Sequence, residues 1–231
     1  NKTTELVTQN QRQILKDVKS TLDTFFNNNF QTIDKIAATM SKLDENRNGI
    51  NIALAQGKAM ANKEIALVYA GYDDGAMFRS NGKNQTPKDG YDPRTRGWYK
   101  LAKQKNGTTF SDPYMAASLK QMVISFVAPI KDIGIAATDV SIEDLSKDIT
   151  EISKTDYSYA FVADKDGNII MHPDKNLINT KPEITKQLIE KYKNKEFNEN
   201  GLIAYKNTKG EDRYADFIEL NDRGWLAISA M

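Results

Sequence analysis

The chain has 231 residues, of which 39% are hydrophobic, enough for one large domain or two small ones that bury their own cores. Its 32 Lys and Arg residues nearly balance its 31 Asp and Glu residues, and the net charge of +1 gives no electrostatic case for nucleic acid or anionic lipid. The lack of Cys excludes disulfides, thiolate nucleophiles and cysteine metal sites. Because neither a signal peptide nor an apolar run of about 18 residues occurs, we expect a soluble piece of a longer protein.

A long amphipathic helix is predicted from Leu6 to about Leu43, a segment without Gly or Pro. Its apolar residues recur in steps of three and four: Leu15, Val18, Leu22, Phe25, Phe26, Phe30, Ile33, Ile36, Met40 and Leu43. This stripe is nearly a heptad seam, so we expect it to pack along its own domain, against a second copy in a dimer, or both.

The segment DENRNG, residues 44–49, follows this helix. It matches the first half of a calcium-binding EF-hand loop, but Ala55 stands where that loop needs a bidentate carboxylate. We therefore interpret it as a turn that ends the helix.

Strand patterns begin after a second short helix at about residues 52–61. The segment EIALVYAGYDDGAMFRS, residues 64–80, predicts a β-hairpin with an Asp-Gly turn. Three further strand candidates, GTTFSDPYM, KQMVISFVAPI and IGIAATDVSI, are rich in β-branched and aromatic residues. Together they predict a five-stranded antiparallel sheet, with a helix that begins near Gly97 inserted after the hairpin.

The same order of elements then repeats. The segment SYAFVADKDGNIIMHP predicts a second hairpin, KPEITKQLIEKYKNK a second inserted helix, and residues 202–231 three more strands. We expect an α+β fold in which a long N-terminal helix carries two antiparallel-sheet modules in tandem. The predicted divisions are the N-terminal helices at 1–61, a first module at 62–143, a linking helix at 144–156 and a second module at 157–231.

Catalytic equipment is sparse in this sequence. His172 is the single histidine, which is too little for a two-histidine metal site, and we interpret it as structural. No phosphate-binding, dinucleotide-binding, nucleophile-elbow or zinc-protease pattern occurs. We therefore expect no enzyme activity, no metal and no cofactor.

The segment GYDPRTRGWYKLA, residues 90–102, offers a binding site instead. Arg96 and Trp98 stand two apart where a helix begins, so a guanidinium, an indole N–H and free helix amides can converge on one small carboxylate. Aromatic side chains with polar tips could form the walls of such a pocket. The candidates are Tyr91, Tyr99 and Tyr114.

Asp139 completes the candidate set, because a carboxylate on a buried strand needs a cation or hydrogen-bond donors. It could meet an ammonium or hydroxyl of the ligand, or it could cap the next helix or pair with a lysine. Similarly, Asp92 could simply pair with Arg94 or Arg96, with Trp98 as part of the core. From the residues alone these alternatives stay open.

The combined motifs resemble the extracellular double Cache domains (dCache_1) of bacterial methyl-accepting chemotaxis receptors. The matching pieces are the long first helix, YDPRTRGWY, FSDPYMAASLKQMVISFVAPI, GIAATDVSIEDL and VADKDGNIIMHPDKNLI. YDPRTRGWY is close to the family signature Y-D-P-R-x-R-P-W-Y, with Gly97 in place of the last proline. The resemblance implies two PAS-like modules, with the ligand bound in the first, membrane-distal one.

In family members that bind amino acids, the resemblance assigns roles to matching positions. Arg96 and Trp98 would hold the ligand α-carboxylate, flanked by Tyr91 and Tyr99. Tyr114 and Asp139 would hold the α-ammonium together with a further aspartate, but Ala116 occupies that aspartate's position. Because losing one carboxylate should cost on the order of a few kcal/mol, a small organic acid or a weakly held amino acid is expected.

The resemblance predicts the periplasmic sensing domain of a transmembrane chemoreceptor in the inner membrane, homodimeric in the full receptor. Its partner would be a small carboxylate ligand or a ligand-loaded binding protein, and no nucleic acid is expected. Alternatives are the input domain of a sensor histidine kinase or cyclic-nucleotide enzyme, or an assembly or adhesion domain in which the pocket is packed core.

Overall fold

The computed structural model describes residues 2–231 and shows an α+β fold with five helices and two antiparallel sheets in that part of the chain. The helices are α1 (Lys2–Ser41), α2 (Ile50–Met60), α3 (Gly97–Lys105), α4 (Ile142–Ser153) and α5 (Glu183–Lys193). The first sheet contains β1 (Ile65–Tyr72), β2 (Met77–Arg79), β3 (Thr109–Phe110), β4 (Tyr114–Ala116), β5 (Gln121–Ile130) and β6 (Gly134–Ser141). The second contains β7 (Tyr159–Ala163), β8 (Ile169–Met171), β9 (Ile203–Lys206), β10 (Asp212–Glu219) and β11 (Leu226–Ala230). The predicted fold class is therefore confirmed.

The chain divides into two compact units. Residues 26–141 form the first-sheet unit, and the beginning of α1 through Phe25 together with residues 142–231 forms the second-sheet unit. Each unit contains one of the two sheets.

The predicted internal repeat is visible in the strand order. The first sheet runs β2-β1-β6-β5-β3, and the second runs β8-β7-β11-β10-β9, so both sheets place a hairpin beside the last strand of their unit. An inserted helix follows the hairpin in both, α3 in one and α5 in the other. The two units thus share one topology.

The first sheet has six strands, where the sequence pattern predicted five. The candidate GTTFSDPYM forms two short strands, β3 and β4, which both pair with β5. Three residues separate Phe110 from Tyr114, whereas only two separate their partners Phe126 and Val123, so the ladder cannot stay in register. Pro113 lies in this interruption and has no N–H to donate.

Helices cover both faces of the first sheet, which explains why β6 is buried along its whole length. On one face, α3 packs through Trp98, Tyr99 and Ala102 in a core with strand residues. On the other, the part of α1 that belongs to this unit contributes Phe26, whose ring centroid lies 4.8 Å from that of Phe110. The α3 face is the one that contains the candidate site.

The two remaining motifs have structural roles. In the DENRNG segment, Gly49 adopts a left-handed φ of 80° and the Asp44 carboxylate accepts a hydrogen bond from the Asn48 N–H, as expected for a turn. His172 Nδ1 accepts a hydrogen bond of 2.9 Å from the Asp174 N–H, and burial lowers the pKa of the ring. Neither segment contributes to the candidate site below.

Candidate ligand-binding site

A small cavity lies between the first sheet and the segment that leads into α3. It is lined by Leu67, Tyr69, Met77, Arg79, Tyr91, Arg96, Trp98, Tyr114, Ala116, Ala117, Ser118 and Asp139. Its volume is about 30 Å³, two to three times the ~10–15 Å³ that a single water needs by the same measure. The cavity therefore suits a small ligand, and it collects five of the six predicted site residues.

Strand alternation places the sheet residues of this cavity on one face. Leu67 lies opposite Asp139 in the β1–β6 ladder, and Ser125 lies opposite Asp139 in the β5–β6 ladder. Tyr69, two residues after Leu67, points to the same face. Three neighbouring strands thus converge on the Asp139 carboxyl group.

Asp139 is 3% exposed, and three hydroxyl groups contact it. The Tyr69 hydroxyl donates to Oδ1 over 2.5 Å, the Ser125 hydroxyl over 2.7 Å and the Tyr114 hydroxyl over 3.5 Å. All three contacts go to Oδ1. Oδ2 has no hydrogen-bond partner in the described part of the chain, which leaves it for a ligand.

Burial changes the protonation chemistry of this cluster. It raises the pKa of Asp139 to about 6, although the hydrogen bonds from Tyr69, Ser125 and Tyr114 and the charge of Arg79 act in the opposite direction. Burial and the nearby Asp139 charge hold the pKa of Tyr69 well above its usual range. At neutral pH Tyr69 is therefore protonated and donates a hydrogen bond, and Asp139 is mostly ionised.

The segment before α3 leaves its second arginine unpaired. Asp92 accepts hydrogen bonds from the N–H and the guanidinium of Arg94, with Nη2 2.8 Å from Oδ2. This pairing matches the Asp92–Arg94 alternative raised from the sequence. The side chain of Arg96, by contrast, makes no hydrogen bond or ion pair with any residue that the structure describes, and it lines the cavity.

Trp98 belongs both to the core and to the cavity. Its ring packs edge-on against Tyr69 at a centroid distance of 4.8 Å. No residue of the described chain accepts a hydrogen bond from its indole N–H. Arg96 and Trp98 thus both line the cavity with donors to spare, the arrangement that a ligand carboxylate needs.

Close backbone packing fixes the position of this indole. A Cβ atom added to Gly71 would lie 2.8 Å from Cη2 of Trp98 and 2.7 Å from Cβ of Pro93, both below the normal contact distance. Gly71 in β1 therefore allows the segment before α3 to lie directly on the sheet.

Tyr91 lies beside two cationic groups. The guanidinium carbon of Arg79 is 4.8 Å from the centre of its ring, and that of Arg96 is 5.3 Å away. Both distances are within the range of a cation–π interaction. The ring therefore helps to hold two like charges at the edge of the cavity.

Tyr99 is the predicted site residue that does not line the cavity. Its hydroxyl donates to Asp73, which also forms an ion pair with Lys103 at 2.8 Å. Successive residues of a helix point about 100° apart, so Trp98 and Tyr99 cannot both face the same small space. Tyr99 instead supports the core beside the site.

Ala116 faces the cavity, as its strand position requires. It is 3% exposed and shares a face of β4 with Tyr114, whereas Met115 between them points outward and is 56% exposed. The cavity wall is therefore apolar at this position.

Three polar cavity residues were not identified from the sequence: Tyr69, Arg79 and Ser118. Tyr69 and Arg79 lie in the hairpin, and alternation within β1 and β2 indicates which residues share a face. The pairing of β1 with β6 joins positions about 70 residues apart, which no local pattern reveals.

Known proteins of one family are similar to this chain. The dCache_1 profile, described as a Cache domain, matches residues 1–231. The methyl-accepting chemotaxis protein PscA of Pseudomonas syringae is 37% identical over 128 residues, which cover 54% of this chain and 20% of PscA. A probable methyl-accepting chemotaxis protein of Bacillus thuringiensis is 29% identical over 198 residues, covering 80% of this chain and 28% of that protein. The matched regions thus cover 20% to 28% of the length of these two relatives.

Solved structures show the same fold. The ligand-binding domain of the Pseudomonas fluorescens chemoreceptor CtaA, in complex with L-serine, has a TM-score of 0.78 at 22% identity, covering 99% of this chain and 98% of that one. The sensory domain of the Campylobacter jejuni chemoreceptor Tlp3, with isoleucine bound, has a TM-score of 0.76 at 23% identity, covering 99% and 93%. The resemblance found in the sequence motifs is confirmed, and the chain belongs to the dCache_1 family of Cache domains.

Proposed function

We propose that this chain is the extracytoplasmic sensing domain of a transmembrane chemoreceptor, and that it binds a small carboxylate ligand in the first-sheet unit. One observation carries the proposal: Arg96 and Trp98 line a small cavity and have no hydrogen-bond acceptor among the described residues. A guanidinium and an indole N–H together match the two oxygens of a carboxylate. The curated relatives are methyl-accepting chemotaxis proteins, which supports a role in chemotaxis.

Other polar residues of the cavity would bind the rest of the ligand. Tyr91 and Tyr114 form walls with polar tips, and Asp139 offers Oδ2 to an ammonium or hydroxyl group. Relatives in solved structures are described with amino acids bound, among them L-serine and isoleucine. For this chain we propose an organic acid or an amino acid, held at its carboxylate by Arg96.

The membrane and partner assignments belong to the full receptor. No helix among residues 2–231 is long and apolar enough to cross a membrane. We propose that the full receptor is a homodimer in the cell membrane with this domain on the periplasmic side. Ligand binding would then shift the population between two receptor states, by as much as the ligand's affinities for them differ.

We also infer that the site binds rather than catalyses. The relatives that the chain matches are described as chemotaxis proteins and as ligand-binding domains of chemoreceptors, which supports a binding role. Turnover of any substrate in a broad hydrolase screen would contradict this inference.

The test is a thermal-shift panel of organic and amino acids. We expect hits to require a free carboxylate, and Arg96→Ala to abolish the shift that they produce in the wild-type domain. Arg94→Ala is the matched control, because Arg94 pairs with Asp92 outside the cavity. Equal shifts from the corresponding amides, or shifts that persist in Arg96→Ala, would refute the proposal.

A further inference from the structure

Arg79 is a buried cation that the proposed carboxylate contact does not use. It ends β2, is 4% exposed and lines the cavity together with Arg96. It forms no ion pair with a described residue, although a buried guanidinium is costly unless an anion compensates its charge. An unpaired buried cation in a binding cavity indicates a negatively charged partner.

The hydrogen bonds of Arg79 leave one edge of its guanidinium free. Nη1 donates to the Lys83 carbonyl over 2.7 Å and to Oε1 of Gln85 over 2.8 Å, which fixes the group in place. Nε is buried and has no hydrogen-bond partner among the described residues, and Nη2 has none there either. Nε and Nη2 form the side-on edge of the guanidinium, whose two parallel N–H groups match a carboxylate.

The charges around the cavity are also unbalanced. Arg79 and Arg96 both lie against the ring of Tyr91, and Asp139 is the carboxyl group that lines the same cavity. Asp139 is already engaged by three hydroxyl groups. Because Asp139 is mostly ionised at neutral pH, the two guanidinium groups and this carboxylate together carry a net charge of +1, which favours an anionic ligand. The free edge of Arg79 is the observation that calls for a second carboxylate.

We infer that the ligand carries two carboxylates on a short carbon chain, one bound by Arg96 and Trp98 and the other by the free edge of Arg79. This inference rests on the proposed function and specifies its ligand class. Ala116 is consistent with it, because an added carboxylate on that wall would repel a dianion.

The experiment compares matched acids by isothermal titration calorimetry. L-malate and L-lactate differ by one carboxylate, as do L-aspartate and L-alanine. In the wild-type domain we expect each dicarboxylate to bind at least about tenfold more tightly than its partner. Arg79→Lys keeps the charge but loses the side-on edge, and we expect it to reduce this preference to within about threefold.

Controls separate this inference from the proposed function. Arg96→Gln should weaken both members of each pair, and Arg94→Gln should leave both unchanged. If wild-type protein binds the monocarboxylates as tightly and Arg96→Gln still abolishes binding, the dicarboxylate inference fails while the proposed function stands. If Arg79→Lys weakens both acids equally, Arg79 supports the same carboxylate as Arg96 and the inference also fails.

Two outcomes remain. If Arg79→Lys shows no melting transition without ligand, the variant is not folded. The inference then stands or falls with the preference of the wild-type domain for the dicarboxylate of each pair. Should no carboxylate of either kind bind the wild-type domain, both the inference and the proposed function are overturned.

Discussion

Individual residues decide which end of a ligand this cavity can recognise. Ala116 lies on the face of β4 that it shares with Tyr114, next to the Asp139 cluster. A carboxylate at this position would stand near the proposed ammonium end of an amino acid. The lack of a carboxylate on this wall of the cavity therefore depends on one side chain, Ala116.

The first prediction concerns this position. Ala116→Asp should improve the binding of L-alanine relative to L-lactate by about tenfold, because a second carboxylate compensates the buried ammonium. Calorimetric titration of both ligands measures the ratio. Met115→Asp is the control, since that side chain points outward. An unchanged ratio in Ala116→Asp would argue against a ligand ammonium at this wall.

A second prediction concerns the raised pKa of Asp139, about 6 in the folded domain against about 3.9 in an unfolded chain. Between these values the folded state binds more protons, so the stability contribution of this group is present below about pH 4 and is lost as the pH rises through about 6. Asp139→Asn removes this dependence. Relative to wild type, the variant should gain on the order of 2 kcal/mol between about pH 4 and about pH 7.5.

Urea denaturation of both proteins across this pH range measures the difference. Asp73→Asn provides the control. Desolvation raises the pKa of Asp73, but the hydrogen bonds from Lys103 and Tyr99 and the charge of Lys103 together outweigh it and lower the pKa. The stability contribution of Asp73 is therefore lost only below about pH 4, and the difference between Asp73→Asn and wild type should stay nearly constant across this range. A difference between Asp139→Asn and wild type that stays constant with pH would contradict the raised pKa.

The residues that sequence reasoning missed share a physical cause. Arg96 and Trp98 stand in one short motif, and the cavity contains both. Tyr69 and Arg79 become site residues only through the tertiary pairing of β1 and β2 with the rest of the sheet. Tyr99 stands in the same motif as Trp98, but the helical turn directs it to Asp73.

At the scale of elements, the segment that leads into α3 and its contact with β1 determine the shape of the site. The Asp92 cap and the turn that begins at Pro93 place Arg96 at the start of α3. Gly71 lets this segment approach β1 without a side chain in between. The element boundaries therefore matter more to the cavity than the length of any helix.

A third prediction follows from this contact. Gly71→Ala should destabilise the domain by about 1–3 kcal/mol, because the new methyl group overlaps Pro93 and Trp98. It should also weaken carboxylate binding, since Trp98 must move. Gly97→Ala is the matched control: no atom lies within 4 Å of its added Cβ, and Ala favours a helix. Urea denaturation and ligand titration measure both effects, and equal behaviour of the two variants would refute the role of Gly71.

Most elements were predictable because each has a strong local pattern. The long apolar stripe predicted α1, and alternation with Asp-Gly turns predicted both hairpins. The split of GTTFSDPYM into β3 and β4 was not predicted, since it depends on how this segment registers against β5. Local sequence reports periodicity, whereas register depends on the partner strand.

At the scale of the whole molecule, the two units use one topology in two ways. The second-sheet unit contains an apolar core, in which Leu188 and Ile189 of α5 pack with strand residues. The strand residues are Phe161, Ala163, Ile169, Ile203, Ala215, Phe217, Leu226 and Ile228. The first-sheet unit instead places a carboxyl group and two guanidinium groups around a cavity on the equivalent scaffold. The repeated topology predicts the fold of both units but not which of them binds.

The fourth prediction tests whether the ligand binds in the first-sheet unit. Hydrogen exchange measured by mass spectrometry, with and without an acid that raises the melting temperature, should show its largest protection in the first-sheet unit. The segments are residues 65–79, 91–98, 114–118 and 134–141, because they contribute the cavity wall. Arg96→Ala serves as the control, with protection expected to disappear. Larger protection in residues 203–214 would place the ligand on the second sheet instead.

The Asp139 side chain divides two tasks between atoms of one carboxyl group. Oδ1 accepts hydrogen bonds from hydroxyl groups on three strands, whereas Oδ2 makes no hydrogen bond with a described residue and is left for a ligand. An asparagine would have to turn its amide oxygen toward those hydroxyls, which would present its NH₂ group to the ligand. A change of one atom at the centre of the sheet would therefore reverse the hydrogen-bond polarity at this one position of the pocket, from a group that accepts to a group that donates.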